Sequence, residues 1–161
     1  METDKISVVI PVYNEEEGLE MLFTKLVPVM EGMKRDYEIV LVDDGSTDGS
    51  LEIMRRHAGE KIMVVELTRN YGQHAAVFAG FESSKGEIII TMDADLQNPP
   101  EEIPRLIQTM EEGDYEVVGT IRRARKDTAF RKTASRIVNA MTRRITGVSL
   151  RDWGCMLRAY R

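Results

Sequence analysis

The stretch that most constrains this chain is an apolar run that ends in two carboxylates, residues 87–97 with the sequence EIIITMDADLQ. Such an apolar run is typical of a strand buried on both faces of a sheet. Asp93, Asp95 and Gln97 occupy alternate positions, and alternate side chains of an extended chain point the same way. Carboxylate and amide oxygens suit a hard divalent cation, Mg²⁺ or Mn²⁺, at the sheet edge where open α/β folds bind ligands. A solvated acidic strand end has the same pattern, so the motif alone leaves both interpretations open.

Apolar strand-like runs alternate with amphipathic helical runs along the chain. The predicted strands cover residues 6–12, 37–42, 62–67, 87–92 and 115–121. Asn14 is predicted to cap the first helix, Pro28 to kink or shorten it, and Asp48 or Ser46 to cap the second. The alternation predicts βαβ units, and so an α/β fold with a mostly parallel sheet flanked by helices in one domain, residues 1–161.

Composition places the chain among soluble globular domains, with 42% hydrophobic and 30% charged residues in 161. No apolar run reaches the roughly 18–20 residues that span a bilayer, and the amino terminus does not resemble a signal peptide. Cys155 is the single cysteine, so no internal disulfide is possible. The abrupt end at Arg161 predicts that the chain is a soluble fragment of a longer protein.

Charge is divided unevenly along the sequence. Residues 1–121 hold 10 Lys and Arg against 25 Asp and Glu, whereas residues 122–161 hold 12 against 2, which gives net charges of −15 and +10. Residues 128–146 have apolar positions at helical spacing with basic residues between them, which predicts a basic amphipathic helix. Such a helix can lie on an anionic membrane surface, or it can pack on the domain with its charged face in solvent. Both interpretations stay open.

The usual phosphate-binding loops are missing. PVYNE follows the first strand where a dinucleotide fold has Gly-x-Gly-x-x-Gly, and no P-loop motif occurs. The Asp-x-Asp pair lies on the fourth strand, which disfavours a haloacid-dehalogenase-type phosphatase, and no late lysine supports a receiver domain. The basic segment lacks interleaved aromatic residues, which disfavours nucleic-acid binding. Acidic strand ends at 43–44 and 93–95 instead predict that one carboxylate holds a ribose or base and another pair holds a metal that bridges a diphosphate.

Seven segments together resemble the glycosyltransferase-2 family, and within it the polyprenyl-phosphate glycosyltransferases, the group that contains dolichol-phosphate mannose synthase. The segments are SVVIPVYNE (7–15), VDDGSTD (42–48), NYGQHAAVFAGF (70–81), MDADLQ (92–97), DLQNPPEEIPRLI (95–107), FRKTAS (130–135) and DWGCMLRAYR (152–161). The segments at 70–81, 95–107, 130–135 and 152–161 are similar to a bacterial branch that transfers 4-deoxy-4-formamido-L-arabinose from UDP to undecaprenyl phosphate in lipid A modification. The resemblance implies a nucleotide-diphospho-sugar transferase (GT-A-like) fold.

The resemblance also implies roles for individual residues. The nucleotide-sugar pocket would contain Pro11, Tyr13, Glu15, Val42, Asp44, Asp93 and Ala94. The metal ligands would be Asp93, Asp95 and Gln97. Catalytic roles fall to Asp95, Asp152 and Arg122, and the acceptor phosphate would draw on Arg123, Arg131, Lys132 and Arg151.

The implied setting is the cytoplasmic face of the inner membrane, with a nucleotide-diphosphate sugar and a polyprenyl phosphate as substrates and an oligomer possible. Family members usually continue into C-terminal transmembrane helices that this chain lacks. Two alternatives stay open, a truncated domain that binds UDP-sugar without turnover and an enzyme that uses GDP-mannose.

The implied reaction is a single inverting displacement at the anomeric carbon. Asp152 stands where the family places a candidate base, but a lipid phosphate has a second pKa of about 6 and is already mostly dianionic at pH 7. We therefore expect Asp152 to orient the acceptor or nearby cations. His74 is predicted to act in hydrogen bonding at a helix start, His57 to lie at the surface, Cys155 to pack in the core, and Trp153 either to pack or to stack on a ligand.

Overall fold

A computed structural model describes residues 4–120 and 155–161. The strands are β1 (Ile6–Val12), β2 (Tyr37–Asp43), β3 (Ile62–Glu66), β4 (Ile88–Thr91), β5 (Val117–Gly119) and β6 (Arg158–Tyr160). The helices are α1 (Glu16–Gly32), α2 (Ser50–His57), α3 (Gln73–Ser83) and α4 (Ile103–Glu112), and a 3-10 turn (Pro100–Glu102) leads into α4.

The strands form one six-stranded sheet in the order β3-β2-β1-β4-β6-β5. β1 pairs in parallel with β2 and β4, and β2 pairs in parallel with β3. The predicted α/β fold with a mostly parallel sheet is therefore confirmed. β6 is the exception, because it lies antiparallel between β4 and β5 and was not predicted.

Two apolar layers cover the two faces of the sheet. One face packs against α1, α2 and α4, and alternate residues of β1, among them Ile6, Val8 and Ile10, point into that layer. The other face packs against α3, and Val9 and Val42 point that way. All seven residues of β2 are buried, as expected for a strand covered on both faces.

Gly80 sets how closely α3 approaches the sheet. A β-carbon at this position would lie 2.3 Å from Cγ1 of Val9 and 3.2 Å from Cγ2 of Val42. The absent side chain therefore lets the helix backbone rest directly on β1 and β2.

Two predictions of helix caps fail, and Pro28 does not shorten its helix. Asn14 does not cap α1; it has a φ of 55°, and Glu15 is the N-cap residue without a side-chain cap. Pro28 lies inside α1, which continues to Gly32. Gly49, rather than Asp48 or Ser46, is the N-cap residue of α2, although Asp48 accepts a hydrogen bond from the backbone N–H of Ser50 at 3.0 Å.

Pro11 is the second-last residue of β1, which is an interior strand of the sheet. In the part of the chain that the structure describes, no helix is both long and apolar enough to cross a bilayer.

Candidate functional site

A cleft of about 470 Å³ opens where β1, β2 and β4 end. This position follows from the fold, because parallel neighbouring strands deliver their carboxyl ends to the same edge of the sheet. Its lining residues are Pro11, Val12, Tyr13, Glu15, Asp44, Asn70, Gly72, Gln73, Asp93, Ala94, Asp95, Gln97 and Met156.

The loops after β1 and β2 are hydrogen-bonded to each other at the rim of the cleft. The Asn14 N–H donates to Oγ of Ser46 at 3.1 Å, and the side-chain oxygen of Asn14 accepts from the N–H of Thr47 at 2.8 Å. The Glu15 N–H donates to Oγ of Ser50 at 2.8 Å. Asn14 therefore serves as a connection between loops, which explains why it is not a helix cap.

A reciprocal pair of contacts joins the start of α1 to the start of α2. The Glu16 N–H donates to Asp48, and the Gly49 N–H donates to the Glu16 carboxylate at 2.6 Å. Burial alone would raise the pKa of Asp48, but hydrogen bonds from Ser50 and Glu16 outweigh it and hold that pKa below its usual value. This side of the cleft is thus fixed before any ligand binds.

Asp44 fixes the opposite loop. Its side chain is 3% exposed, and its two carboxylate oxygens accept the backbone N–H groups of Tyr71 at 2.7 Å and Gly72 at 2.9 Å. Gly72 has a φ of 94°, a conformation that favours glycine, and it is the N-cap residue of α3. One carboxylate at the end of β2 therefore sets where α3 begins.

Asp93 and Asp95 lie beyond the end of β4, where the chain turns at residues 94–95. Oδ1 of Asp93 accepts a hydrogen bond from Nε2 of Gln73 at 2.7 Å. Oδ1 of Asp95 accepts from the backbone N–H of Gln97 at 3.0 Å, and Leu96 between them has a φ of 57°. The two acids share the cleft as predicted, but a turn brings them there rather than the alternation of a continuing strand.

Negative charge accumulates in this cleft. Burial raises the pKa of Glu15 above its ordinary value, and the charges of Asp95, Asp48 and Asp93 raise it further. Four of the lining residues are acids, and no lysine or arginine from residues 4–120 or 155–161 is among them. An anionic ligand would therefore need a cation beside it.

The oxygen ligands in the cleft fit a hard cation that would also be coordinated by a substrate. Among the described residues, no group of three or more His, Cys, Asp or Glu side chains is arranged as a complete metal site. Asp93 and Asp95 supply two carboxylates at one cleft, and Gln97 supplies an amide oxygen. Mg²⁺ sites commonly use one or two carboxylates plus substrate phosphates and water, so the incomplete protein set agrees with that type of site.

The cleft brings together most of the predicted site residues that the structure describes. Those that line it are Pro11, Tyr13, Glu15, Asp44, Asp93, Ala94, Asp95 and Gln97. Val42 does not line it, because its side chain is buried beneath α3. The residues outside the described ranges are Arg122, Arg123, Arg131, Lys132, Arg151, Asp152 and Trp153, together with the predicted helix 128–146.

Sequence reasoning missed five lining residues, which are Val12, Asn70, Gly72, Gln73 and Met156. Asn70 and Gln73 belong to the NYGQH segment, so the signal was their position directly before a helix that follows a parallel strand. Met156 reaches the cleft from the segment before β6, which was not predicted.

The residues given ordinary roles behave mostly as expected. Cys155 is fully buried, and its thiol lies 2.9 Å from the Thr120 hydroxyl and 3.2 Å from the Asn98 side chain. His74 lies in the first turn of α3. His57 is only partly exposed, since it stacks on Phe23 at 4.0 Å and contacts Glu20 at 3.0 Å, so its placement as a surface residue was too simple.

Residues 7–159 match the family model described as glycosyl transferase family 2. The chain belongs to this family. The resemblance noted in the sequence is therefore confirmed over nearly the whole length of the chain.

Curated members of glycosyl transferase family 2 are similar to the chain at high identity. Over 159 residues it is 55% identical to the undecaprenyl-phosphate 4-deoxy-4-formamido-L-arabinose transferase of Aeromonas hydrophila subsp. hydrophila, a match that covers 97% of this chain and 48% of that protein. The chain spans about half the length of the curated relatives it matches.

Two solved structures of glycosyltransferases share the fold. Glucosyl-3-phosphoglycerate synthase from Mycobacterium tuberculosis, in complex with UDP, has a TM-score of 0.75 at 25% identity, covering 98% of this chain and 56% of that one. A mannosyltransferase from Pyrobaculum calidifontis, in complex with GDP-Man and Mn²⁺, has a TM-score of 0.69 at 22% identity, covering 98% and 44%. The predicted GT-A-like fold is confirmed, and neighbours with different nucleotides show that the fold alone does not choose between UDP and GDP.

Proposed function

We propose that this chain is the donor-binding catalytic domain of an inverting glycosyltransferase. Its donor is UDP-4-deoxy-4-formamido-L-arabinose and its acceptor is undecaprenyl phosphate, at the cytoplasmic face of the inner membrane. The observation that carries the proposal is the acidic cleft at the ends of β1, β2 and β4, in a chain 55% identical to a transferase with that name.

The nucleoside end of the donor is assigned to the side of the cleft formed by β1 and β2. Pro11, Tyr13 and Glu15 line that side, and Asp44 lies at its base. Asp44 already accepts two backbone N–H groups, but a carboxylate has about four lone-pair sites, so it can also accept from a ribose or base. Val42 does not line the cleft, and its proposed role is to support the nucleoside end from its buried position in β2.

The diphosphate end is assigned to the turn after β4. Asp93, Asp95 and Gln97 would hold Mg²⁺ or Mn²⁺ there, and Ala94 also lines this part of the cleft. A bound divalent cation would offset the charge that develops on the departing diphosphate. Arg122 supplies a second positive charge, and its place directly after the β5 region supports this role.

The acceptor side is assigned to the basic part of the chain. Arg123, Arg131, Lys132 and Arg151 would receive the lipid phosphate, and the helix predicted from the sequence at 128–146 would rest on the anionic membrane surface. Because the acceptor phosphate is already ionised at pH 7, Asp152 orients the acceptor rather than removing a proton.

Donor binding and sugar transfer are tested in separate experiments, because the chain spans about half the length of its curated relatives. Binding is tested by titrating UDP and GDP, each with and without Mn²⁺, and measuring the midpoint of thermal unfolding. We expect UDP with Mn²⁺ to raise the midpoint most. A larger shift with GDP would redirect the donor assignment to a GDP-sugar.

Transfer is tested by supplying UDP-4-deoxy-4-formamido-L-arabinose and undecaprenyl phosphate in vesicles and measuring glycolipid by mass spectrometry. The full-length parent protein is expected to form glycolipid with inverted anomeric configuration. Binding without product in both the chain and the parent would leave the alternative, a UDP-sugar-binding domain without turnover.

A further inference from the structure

Gln73 makes a contact that neither the family match nor the assigned site roles explain. Its Nε2 donates to Oδ1 of Asp93 at 2.7 Å, from the first residue of α3 to the turn after β4. The two residues are 20 positions apart in sequence, and both line the cleft.

Gln73 is held in place from two sides. On its amino-terminal side, the Asp44 carboxylate binds the N–H groups of Tyr71 and Gly72. On its carboxyl-terminal side, Ala76 is fully buried and Gly80 lets α3 lie against Val9. The backbone that carries Gln73 at the start of α3 is therefore held against the sheet.

Asp93 lies outside regular secondary structure. It follows Met92 in a segment without regular structure, and the chain turns immediately after it at residues 94–95. A carboxylate in such a segment can occupy several rotamers, and holding one of them costs conformational entropy. A hydrogen bond from a neutral amide orients the carboxylate without cancelling its charge, so its attraction for a cation is retained.

We infer that Gln73 is a positioning residue for Asp93, and that residues 70–73 couple the nucleoside end of the cleft to its cation end. Asp44 at the end of β2 holds this segment, and Gln73 at the end of the segment holds Asp93 beyond β4. A nucleotide that contacts Asp44 and a cation that contacts Asp93 thus act on the same short segment. The inference rests on the proposed function, because it concerns the donor-binding cleft.

The test compares the Kd of UDP with and without Mn²⁺ by calorimetry for the wild-type chain and Gln73→Met. Methionine keeps the length of the side chain and removes the donor. We expect Mn²⁺ to tighten UDP binding in the wild type and this tightening to fall about tenfold in Gln73→Met, with the Kd measured in EDTA unchanged. A merely structural defect would instead weaken UDP binding equally in both conditions.

His74→Met is the matched control, since it introduces the same residue at the adjacent position of the same helical turn. His74 is exposed and does not line the cleft. It should leave both Kd values unchanged. Gln73→Asn is a second variant, because it keeps the amide but shortens its reach by one methylene, and we expect it to behave like Gln73→Met.

The outcomes separate this inference from the proposed function. If the wild type binds UDP more tightly with Mn²⁺ and Gln73→Met does the same to an equal extent, Gln73 does not position Asp93 and the proposed function stands. An equal loss in Mn²⁺ and in EDTA also overturns the positioning role. If the wild type binds no UDP in either condition, the proposed function and the inference fail together.

Discussion

The two ends of the central sheet both contain partly or fully buried carboxylates, but they treat the charge in opposite ways. At the amino end, Glu38 on β2 is 6% exposed and accepts hydrogen bonds from the Ser7 hydroxyl at 2.6 Å and from the Lys85 N–H, with the Lys5 ammonium at 3.2 Å. At the carboxyl end, Glu15 lies near Asp48, Asp93 and Asp95, with no described lysine or arginine lining the cleft.

The pKa values follow this difference. Burial by itself raises the pKa of Glu38, but hydrogen bonds from Ser7, Lys85 and Lys5, together with the charge of Lys5, bring it below its ordinary value. Burial also raises the pKa of Glu15, and there the neighbouring acids add to the rise. A compensated carboxylate stabilises the fold, whereas a cluster of neighbouring acids favours a ligand that brings positive charge.

The largest expected effect is at the compensated end. Glu38→Ala leaves the Ser7 hydroxyl and the Lys85 N–H without their acceptor in a buried site, so we expect it to lower the free energy of unfolding by about 3 kcal/mol. Urea denaturation measures this loss. The UDP affinity of the folded variant should not change, and a selective loss of Mn²⁺-dependent binding would contradict the separation of the two ends.

Asp95→Asn should have a slightly smaller effect, and on binding rather than stability. Removal of the negative charge from this proposed cation ligand is expected to weaken Mn²⁺-dependent UDP binding about 100-fold, which corresponds to about 2.7 kcal/mol. Calorimetry with and without Mn²⁺ measures the change. Asp36→Asn is the control, because Asp36 is an exposed acid near Lys5 at the amino end, and it should bind like the wild type.

Asp44→Asn tests a carboxylate that lines the cleft and whose two oxygens are also hydrogen-bonded to the backbone. The asparagine side chain has one oxygen that can accept from either the Tyr71 N–H or the Gly72 N–H. Its NH₂ group then faces the remaining N–H, which loses its acceptor. We therefore expect a loss of about 2 kcal/mol in unfolding free energy. Protection of the Tyr71 and Gly72 amides from hydrogen exchange should fall. Unchanged protection would show that Asp44 does not hold the start of α3.

Glu15→Gln should give the smallest change and the opposite sign. The raised pKa means that ionising Glu15 costs folding free energy at pH values above its folded pKa, so the variant should be more stable at pH 7, by about 0.5 kcal/mol. That gain should disappear as the pH falls below the ordinary glutamate value. Thermal unfolding from pH 4 to pH 8 measures it.

The matching substitution at the other end, Glu38→Gln, provides the contrast. Because the folded pKa of Glu38 is lowered, its stabilising contribution is present above the ordinary glutamate pKa and is lost as the pH falls through the folded pKa. Glu38→Gln should therefore be less stable than the wild type at pH 7. If both glutamine variants shift stability in the same direction at pH 7, the contrast between the two ends is wrong.

The central strands were predictable because a strand that is buried on both faces consists of a continuous run of apolar residues. β1 has the bounds predicted for it, β2 is one residue longer at its carboxyl end, and β4 is one residue shorter at each end. β6 was missed because three residues, Arg158–Tyr160, give too short a pattern to reveal a strand or its direction. Its place in the sheet depends on pairing with β4, which is 65 or more residues away in the chain.

The sequence predicted the acidic residues of the site, but it did not predict the long-range hydrogen bonds that connect its loops. Asp44, Asp93 and Asp95 follow strands, so the topology alone brings them to one edge. The roles of Asn14 and Gln73 depend on hydrogen bonds to Thr47 and Asp93, which lie 33 and 20 positions away. Local rules assigned Asn14 to a helix cap because its competing long-range partner has no signal in the surrounding residues.

The central claim is that the acids after β4 hold a cation against the diphosphate of the donor. The most direct measurement is the anomalous scattering of manganese in crystals grown with UDP and Mn²⁺. We predict a manganese peak in contact with Asp95 and the UDP diphosphate, and close to Asp93 and Gln97. UDP in the cleft with manganese bound elsewhere, or UDP bound away from Asp44, would contradict the account.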